Sequence, residues 1–308
     1  MRLGFVGAGR IGRPMVQRLV AAGHVTRVLA RSEAARTALT GDGAQVVSGL
    51  AEVADAAEVV LVCVYTDEQV RQVCLGDSFS DGVEPGGVEP GGDGGLIAIL
   101  PAGSVLVVHT TGSPRTAAAL LERARPRGIQ VVDAPLSGGP LDVAAGRVTL
   151  LVGGSDAALA TVEPVLRAYG DPVLHLGPTG SGQSAKLINN ALFAANIGLL
   201  AHALELGVGL HLEQPALLQA LRHGSSASRA LDLIAGRGSV AEFATSVGEF
   251  LVKDLAVVRA VVADLGADLG PLEPAHQELI ALTELTAPIR STSRSGPPRG
   301  GDSDGVPW

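Results

Sequence analysis

The sequence predicts two domains in succession: an α/β domain with a doubly wound parallel sheet, then an all-α domain. Three observations lead there. A short apolar strand, Leu3-Gly4-Phe5-Val6, runs straight into Gly7-Ala8-Gly9-Arg10-Ile11-Gly12, the glycine spacing of a strand–turn–helix unit that cradles a dinucleotide. Up to about Leu176, β-branched runs alternate with helical patterns, as parallel β/α units with helices on both sheet faces do. Beyond Gly180 the strand signals stop, and alanine- and leucine-rich stretches with helical spacing take over. A chain of 308 residues, 46% hydrophobic, is also at the length where one core divides into two. The expected division is a Rossmann-type dinucleotide-binding domain over residues 1–178, an all-α substrate and dimerisation domain over 179–290, and a disordered tail over 291–308.

In chain order, the glycine turn comes first. Gly7 permits the tight turn, Gly9 lets a pyrophosphate approach bare backbone, and Gly12 lets the next helix pack close to the sheet. The N–H groups and dipole at that helix's start favour phosphate charge. Further strands are expected at Val25 to Ala30, Val59 to Val64, Ser104 to Thr110, Ile129 to Asp133 and Val148 to Val152. Residues 82–92 repeat Gly-Val-Glu-Pro-Gly almost at once, a composition suited to a mobile surface loop. The all-α part opens with a helix from Gln183 to about Gly207, apolar nearly all round and so expected to be buried on several sides, linking the domains and forming a subunit contact. The tail is rich in Ser, Gly, Pro and charge despite its terminal Trp308.

Several functions are disfavoured by composition. A net charge of −8 without a basic patch argues against a nucleic-acid or anionic-membrane partner. Cys63 lies in an apolar run and Cys74 in an expected helix, so neither has metal or redox spacing, and both read as buried thiols of a reducing compartment. The N-terminus lacks the charged, apolar and cleavage-site pattern of a signal peptide. The most apolar helical stretch, Ala191 to Leu210, contains Asn196, His202 and Glu205 and reads as a core helix. A cytoplasmic location follows as the expectation.

Chemistry collects at a few places. Arg31-Ser32 stands about twenty residues past the glycine turn, where an acidic residue would take the ribose hydroxyls of NAD. A guanidinium beside a hydroxyl suits the 2′-phosphate of NADP, with Arg36 as a second cation and nearby Glu33 as a counter-signal. NADP is therefore the expected cofactor, with NAD the alternative. Asp133-Ala134-Pro135-Leu136-Ser137-Gly138-Gly139 ends a strand in a hydroxyl and two glycines, whose backbone N–H groups can hold a small carboxylate. Lys186 and Asn190 share one helical face. Lys186 has almost no other charge near it in sequence, and a buried lysine with a lowered pKa can exchange protons near neutrality.

Together these segments make the resemblance specific. The chain resembles the β-hydroxyacid dehydrogenase family, the group of 3-hydroxyisobutyrate dehydrogenase, tartronate semialdehyde reductase and the glyoxylate/succinic semialdehyde reductases. Gly7 to Met15 is similar to its cofactor signature GxGxMGxPM, Asp133 to Gly139 to DAPxSGG, Gly180 to Asn190 to GxGxxxKxxNN, and Lys253-Asp254-Leu255 to the KDL signature. The resemblance implies a hydride transfer between NADP(H) and a small carboxylate-bearing 3-hydroxy acid, semialdehyde or 2-oxo acid, in a homodimer or homotetramer. It makes Lys186 the general acid in reduction and the base in oxidation, with Asn190 holding the same oxygen or orienting the lysine. Thr110, Ser137, Gly138 and Gly139 would meet the substrate. Gly7, Gly9, Arg10, Ile11, Gly12, Arg31, Ser32 and Thr111 would meet the cofactor, with Lys253 closing over it and Asp254 supporting Lys253.

The chain departs from the family pattern at His109, in place of an aspartate, at His202, in place of a glutamate, and at Thr66, where a proline usually shapes the wall around adenosine or nicotinamide. Both histidines read as structural. The repeat at 82–92 is an insertion. Related phosphogluconate dehydrogenases need a histidine and a glutamate where this chain has Asn189 and Phe193, and phenylalanine cannot donate a proton, so decarboxylation is disfavoured. Imine reductases usually replace the lysine, so retained Lys186 points to C=O chemistry; C=N reduction and a non-catalytic NADP-binding protein are the alternatives.

Overall fold

The computed structural model describes residues 1–77 and 95–286. The repeat at 82–92, the tail 291–308 and Trp308 lie outside the described residues. Six parallel strands form the main sheet: β1 (Arg2–Val6), β2 (Val25–Leu29), β3 (Gln45–Val47), β4 (Val59–Val62), β5 (Val105–Val108) and β6 (Gln130–Asp133), in the order β3-β2-β1-β4-β5-β6. This is the doubly wound order, in which the strand direction of travel reverses between β1 and β4 and ligands bind outside the C-terminal strand ends at that point. The expected α/β fold with a helical C-terminal region is present.

Alternation explains why both faces are sealed. Val59 and Leu61 of β4 and Val105 and Val107 of β5 enter one core cluster with Phe5, Met15 and Leu19. Their neighbours Val60, Val62, Leu106 and Val108 enter a second cluster with Val73, Leu96 and Leu120. Successive side chains of a strand point to opposite faces, so an unbroken apolar strand needs a helix layer on each side. Those layers come from α1 (Gly12–Ala21), α2 (Glu33–Gly41), α3 (Leu50–Ala54), α4 (Asp67–Leu75), α5 (Gly95–Ile99), α6 (Pro114–Ala124), α7 (Pro140–Ala144) and α8 (Asp156–Leu166).

One strand of the expected parallel series belongs elsewhere. Val148–Val152 is β8 of a separate three-stranded sheet, β7-β8-β9, antiparallel to β7 (Leu136–Ser137) and parallel to β9 (Gly170–His175). Only a short α7 connection separates β7 from β8, too little chain for a parallel crossover. Strands β3 and β9 had no clear sequence signal: β3 is three residues long, and β9 is mostly exposed and carries Pro172.

The helical region comprises α9 (Ser181–Gly209), α10 (Gln214–His223), α11 (Arg229–Ala235), α12 (Val240–Asp264) and α13 (Leu272–Thr286). Helix α9 packs on α12 and α13 and reaches back to β8 and α6. By length and composition alone it could cross a membrane, yet its inner face carries Ala194, Ile197, Leu200 and Leu204 into the helical core. Ile188, Leu192, Leu199 and Leu206 follow one outer stripe and are each more than half exposed in the single chain.

Candidate active site

All the cofactor-side candidates in the sheet domain stand at or just beyond C-terminal strand ends. After β1, Gly7 has φ +97°, a conformation that favours glycine, and a Cβ there would run into the Cys63 carbonyl. A Cβ on Gly12 would meet the Gly7 carbonyl oxygen, so the close approach of α1 to the turn requires glycine there too. Gly9 differs: a Cβ would meet no protein atom within 4 Å, so its outer face is open. Helix α1 begins at Ile11 without a side-chain cap. The N–H groups of Arg10, Ile11 and Gly12 have no protein acceptor among the described residues, while Gly9 N–H donates to the Gly7 carbonyl. A bare turn with orphan donors at a helix start fits the diphosphate of a dinucleotide.

After β2, Arg31 is exposed and makes no ion pair or hydrogen bond to the described residues. Ser32 caps α2, its Oγ accepting from Ala35 N at 3.2 Å, which leaves its O–H to point outward. Arg36 is already engaged, donating to the Ala30 carbonyl at 2.9 Å and to Ser48 Oγ. At the end of β4, Thr66 caps α4 in a reciprocal box with Gln69, whose Oε1 accepts from Tyr65 N and Thr66 N. The missing proline is thereby replaced by a capping hydroxyl.

The two threonines after β5 divide. Thr110 is buried, and its hydroxyl donates to the Val64 carbonyl at 2.9 Å, so only lone pairs remain for a ligand. Half-buried Thr111 has no hydrogen-bond partner for its hydroxyl among the described residues. His109 is buried, with Nδ1 2.7 Å from the Ala134 carbonyl and Nε2 2.8 Å from Tyr169 Oη. The carbonyl can only accept, so Nδ1 carries the proton and Nε2 accepts from Tyr169. Burial pushes the His109 pKa down to about 4, opposed by the bond to Ala134. His202 is exposed between Glu205 and Glu278, each at 3.2 Å, which raise its pKa.

The DAPxSGG segment supplies less open backbone than its composition suggests. Gly139 N–H is taken by Asp142 Oδ2 at 2.9 Å, because Asp142 closes the first turn of α7. Gly138 N–H and the Ser137 hydroxyl have no protein partner among the described residues. No hydrogen bond among the described residues joins residues 137–139 to Lys186 or Asn190.

A role that composition did not reveal falls to Asp133. Its carboxylate accepts from Gly180 N at 2.6 Å and Gln183 N at 2.7 Å, capping α9 from the end of β6. Burial raises its pKa, and those N–H groups pull it back. Gln183, also buried, donates to the Thr110 carbonyl at 2.7 Å and accepts from Gly112 N at 2.9 Å. The head of the helix is thus bolted to the loops after β5 and β6. The only sequence signal for either residue is its place inside a motif.

Lys186 follows Gln183 by one helical turn. It is half-buried, and its ammonium has no hydrogen-bond partner among the described residues. Burial pushes its pKa down to about 8; Asp254 pulls it up and Lys253 pushes it further down. Asn190 Nδ2 donates to Asp254 Oδ2 at 2.6 Å, and Asn190 Oδ1 accepts from Asn189 at 3.1 Å. Lys253 Nζ donates to the other Asp254 oxygen at 2.7 Å. Asp254 therefore pairs Asn190 of α9 with Lys253 of α12, bringing the third and fourth motifs together. Cys74 is buried as expected and Cys63 only partly so; burial pushes Cys63 up to about 12 and Cys74 higher still, which favours the thiol over the thiolate at both. Among the described residues, no cluster of histidine, cysteine or carboxylate side chains is placed to hold a metal.

Comparison with known proteins matches the same segments. The family model for the NAD binding domain of 6-phosphogluconate dehydrogenase covers residues 2–177, and that for the NAD-binding of NADP-dependent 3-hydroxyisobutyrate dehydrogenase covers residues 180–287. The chain is 31% identical to 2-(hydroxymethyl)glutarate dehydrogenase of Eubacterium barkeri and 32% identical to NAD-dependent L-serine dehydrogenase of Pseudomonas aeruginosa. Each match runs over 232 residues, 75% of this chain and 72% of the relative. A solved structure of Mycobacterium tuberculosis 3-hydroxyisobutyrate dehydrogenase with L-serine superposes with a TM-score of 0.78 at 25% identity, covering 93% of this chain and 99% of that one. With its open glycine turn, its lysine-bearing α9 and these matches, the chain is an NAD(P)-dependent oxidoreductase of the β-hydroxyacid dehydrogenase family.

Proposed function

We propose that the protein interconverts a small 3-hydroxy acid and its semialdehyde, or a 2-oxo acid and its alcohol, with NADP(H) and with Lys186 as the proton-transfer group. One observation carries this reading: a half-buried lysine with a pKa of about 8 and no hydrogen-bond partner among the described residues, set beside the Asn190–Asp254–Lys253 group. A base or acid works best when its pKa lies near the working pH. NADPH, when bound, supplies the hydride to the carbonyl carbon. Lys186 donates a proton from Nζ to the carbonyl oxygen in reduction and takes it back in oxidation. Asn190 is held by Asp254 through one N–H, which leaves its second N–H for the same oxygen. The Gly138 N–H, the Ser137 hydroxyl and Thr111 are the open donors for the substrate carboxylate and its surroundings.

Arg31 supports a preference for NADP, since it is an exposed cation beside Ser32, and neither the guanidinium nor the Ser32 O–H has an acceptor among the described residues. The charge-assisted bond to a 2′-phosphate predicts that Arg31→Ala lowers the NADPH-to-NADH ratio of kcat/KM by about 10-fold. Equal rates with both cofactors in the wild type would remove this preference. The outer stripe of α9 fits a second copy of the chain, and light scattering in solution tests whether a dimer or tetramer forms.

The decisive assay is a spectrophotometric panel of glyoxylate, succinic semialdehyde, methylmalonate semialdehyde and tartronate semialdehyde with each reduced cofactor, with L-serine in the oxidative direction. Turnover of at least one carboxylate-bearing carbonyl is expected. Turnover of cyclic imines alone, or no oxidation of NADPH by any of these, would contradict the reading.

A further inference from the structure

Two aromatic side chains outside all four motifs stand between the first motif and the last. The Arg10 guanidinium carbon lies 5.2 Å from the centre of the Phe250 ring. Phe250 of α12 meets Tyr65 edge-on, with centroids 5.7 Å apart and planes at 79°. The Lys253 ammonium lies 5.4 Å from the centre of the Tyr65 ring. Lys253 in turn bonds Asp254, which holds Asn190. A continuous line of contacts therefore runs from the glycine turn to α9, passing from Arg10 of the sheet domain to Phe250, back to Tyr65, and again to the helical domain at Lys253.

An exposed arginine is a long, mobile side chain that loses considerable freedom when it orders on a ligand. A ring face removes part of that loss beforehand: it attracts the guanidinium and fixes its plane, leaving the N–H edges free. Arg10 is placed where this matters, since its own N–H and those of Ile11 and Gly12 are the orphan donors of the turn. Phe250 is 37% exposed, so burial of apolar area alone does not explain an aromatic ring there. Tyr65, meeting it edge-on, limits how the ring can turn.

We propose that Phe250 is a positioning residue for the cofactor, its ring holding the Arg10 guanidinium at the rim of the diphosphate turn so that the helical domain contributes to dinucleotide binding through Arg10. This rests on the reading of the turn as a dinucleotide cradle. The ligand feature recognised is the diphosphate, common to NADPH, NADH and ADP-ribose.

The test is titration calorimetry of the full chain with NADPH and with ADP-ribose, with no turnover involved. Phe250→Leu and Phe250→Met keep apolar bulk and remove the ring, and thermal unfolding identifies which of the two is folded like the wild type. Either is expected to weaken both ligands by about 3- to 10-fold, the range of a cation–π contact, while Phe250→Tyr retains wild-type affinity. In an Arg10→Gln background the same change at Phe250 should alter affinity by less than about 2-fold, because the contact it serves is already gone. The proposal is overturned if the leucine and methionine variants bind like the wild type, if tyrosine fails to restore affinity, or if the loss is undiminished in the Arg10→Gln background. A wild type that binds neither ligand would overturn the cradle reading itself, a result distinct from wild-type binding that Phe250 does not influence.

Discussion

The starts of α1 and α9 are finished in opposite ways. Helix α1 has no side-chain cap, and three of its leading N–H groups have no acceptor in the described protein. Helix α9 has the Asp133 carboxylate seated on its first turn, accepting from Gly180 and Gln183. The same electrostatic demand, negative charge at a helix start, is met by the chain itself at α9 and left open at α1, where the proposed diphosphate would meet it. The open start is the one suited to receive an anion, while the capped one fixes what stands a turn further along. Here that is Lys186.

The largest expected effect breaks the division of labour. Lys186→Ala should lower kcat by about 10² to 10⁴-fold, the range for losing a general acid, while calorimetry shows NADPH affinity within about 2-fold of wild type. If turnover survives, the proton work is not done from α9. Next, Asp133→Ala leaves two buried N–H groups without their acceptor and should destabilise the fold by about 3 to 4 kcal/mol, read as a shift of the denaturation midpoint.

His109 sharpens the comparison from the sheet side, as it ties the end of β5 to the turn after β6. Its pKa of about 4 lies below the unfolded value of 6.5, so the unfolded state binds the proton first. The neutral ring's contribution is complete above pH 6.5 and is lost as pH falls towards 4, about 3 kcal/mol in all. His109→Gln should flatten that part of the stability-against-pH curve; an unchanged slope would show that His109 is not its source. The smallest effect is the cleanest contrast with Asp133. Gly9→Ala adds a methyl that meets no protein atom within 4 Å, so stability should change by no more than about 0.5 kcal/mol. Cofactor affinity should fall about 10-fold, as the methyl occupies the face a diphosphate needs.

What could be read from sequence followed how locally each feature is built. The glycine turn is contiguous, and β4 and β5 show as unbroken apolar runs because both sheet faces are covered. Lys186 and Asn190 stand out because a helix brings residues four apart onto one face. Other parts depend on partners far along the chain. Asp133 and Gln183 are fifty residues apart, and Gln183 and Thr110 seventy-three, so neither clamp leaves a local pattern. Gly139 looked available until Asp142 proved to occupy its N–H. The β7-β8-β9 sheet was hidden because a strand's apolar run does not say which sheet it joins. The outer stripe of α9 could not be told from its inner face, because composition does not distinguish a face buried within one chain from one left at its surface.

If the head of α9 presents a lysine that exchanges its proton near neutrality, the pH dependence of kcat/KM in both directions will show it. Reduction needs the ammonium, so its rate should fall as pH rises through about 8; oxidation needs the free amine and should rise through the same value. Two profiles crossing near pH 8 are the predicted result. Profiles flat from pH 7 to 9, or moving in the same direction, would mean that Lys186 does not carry the proton.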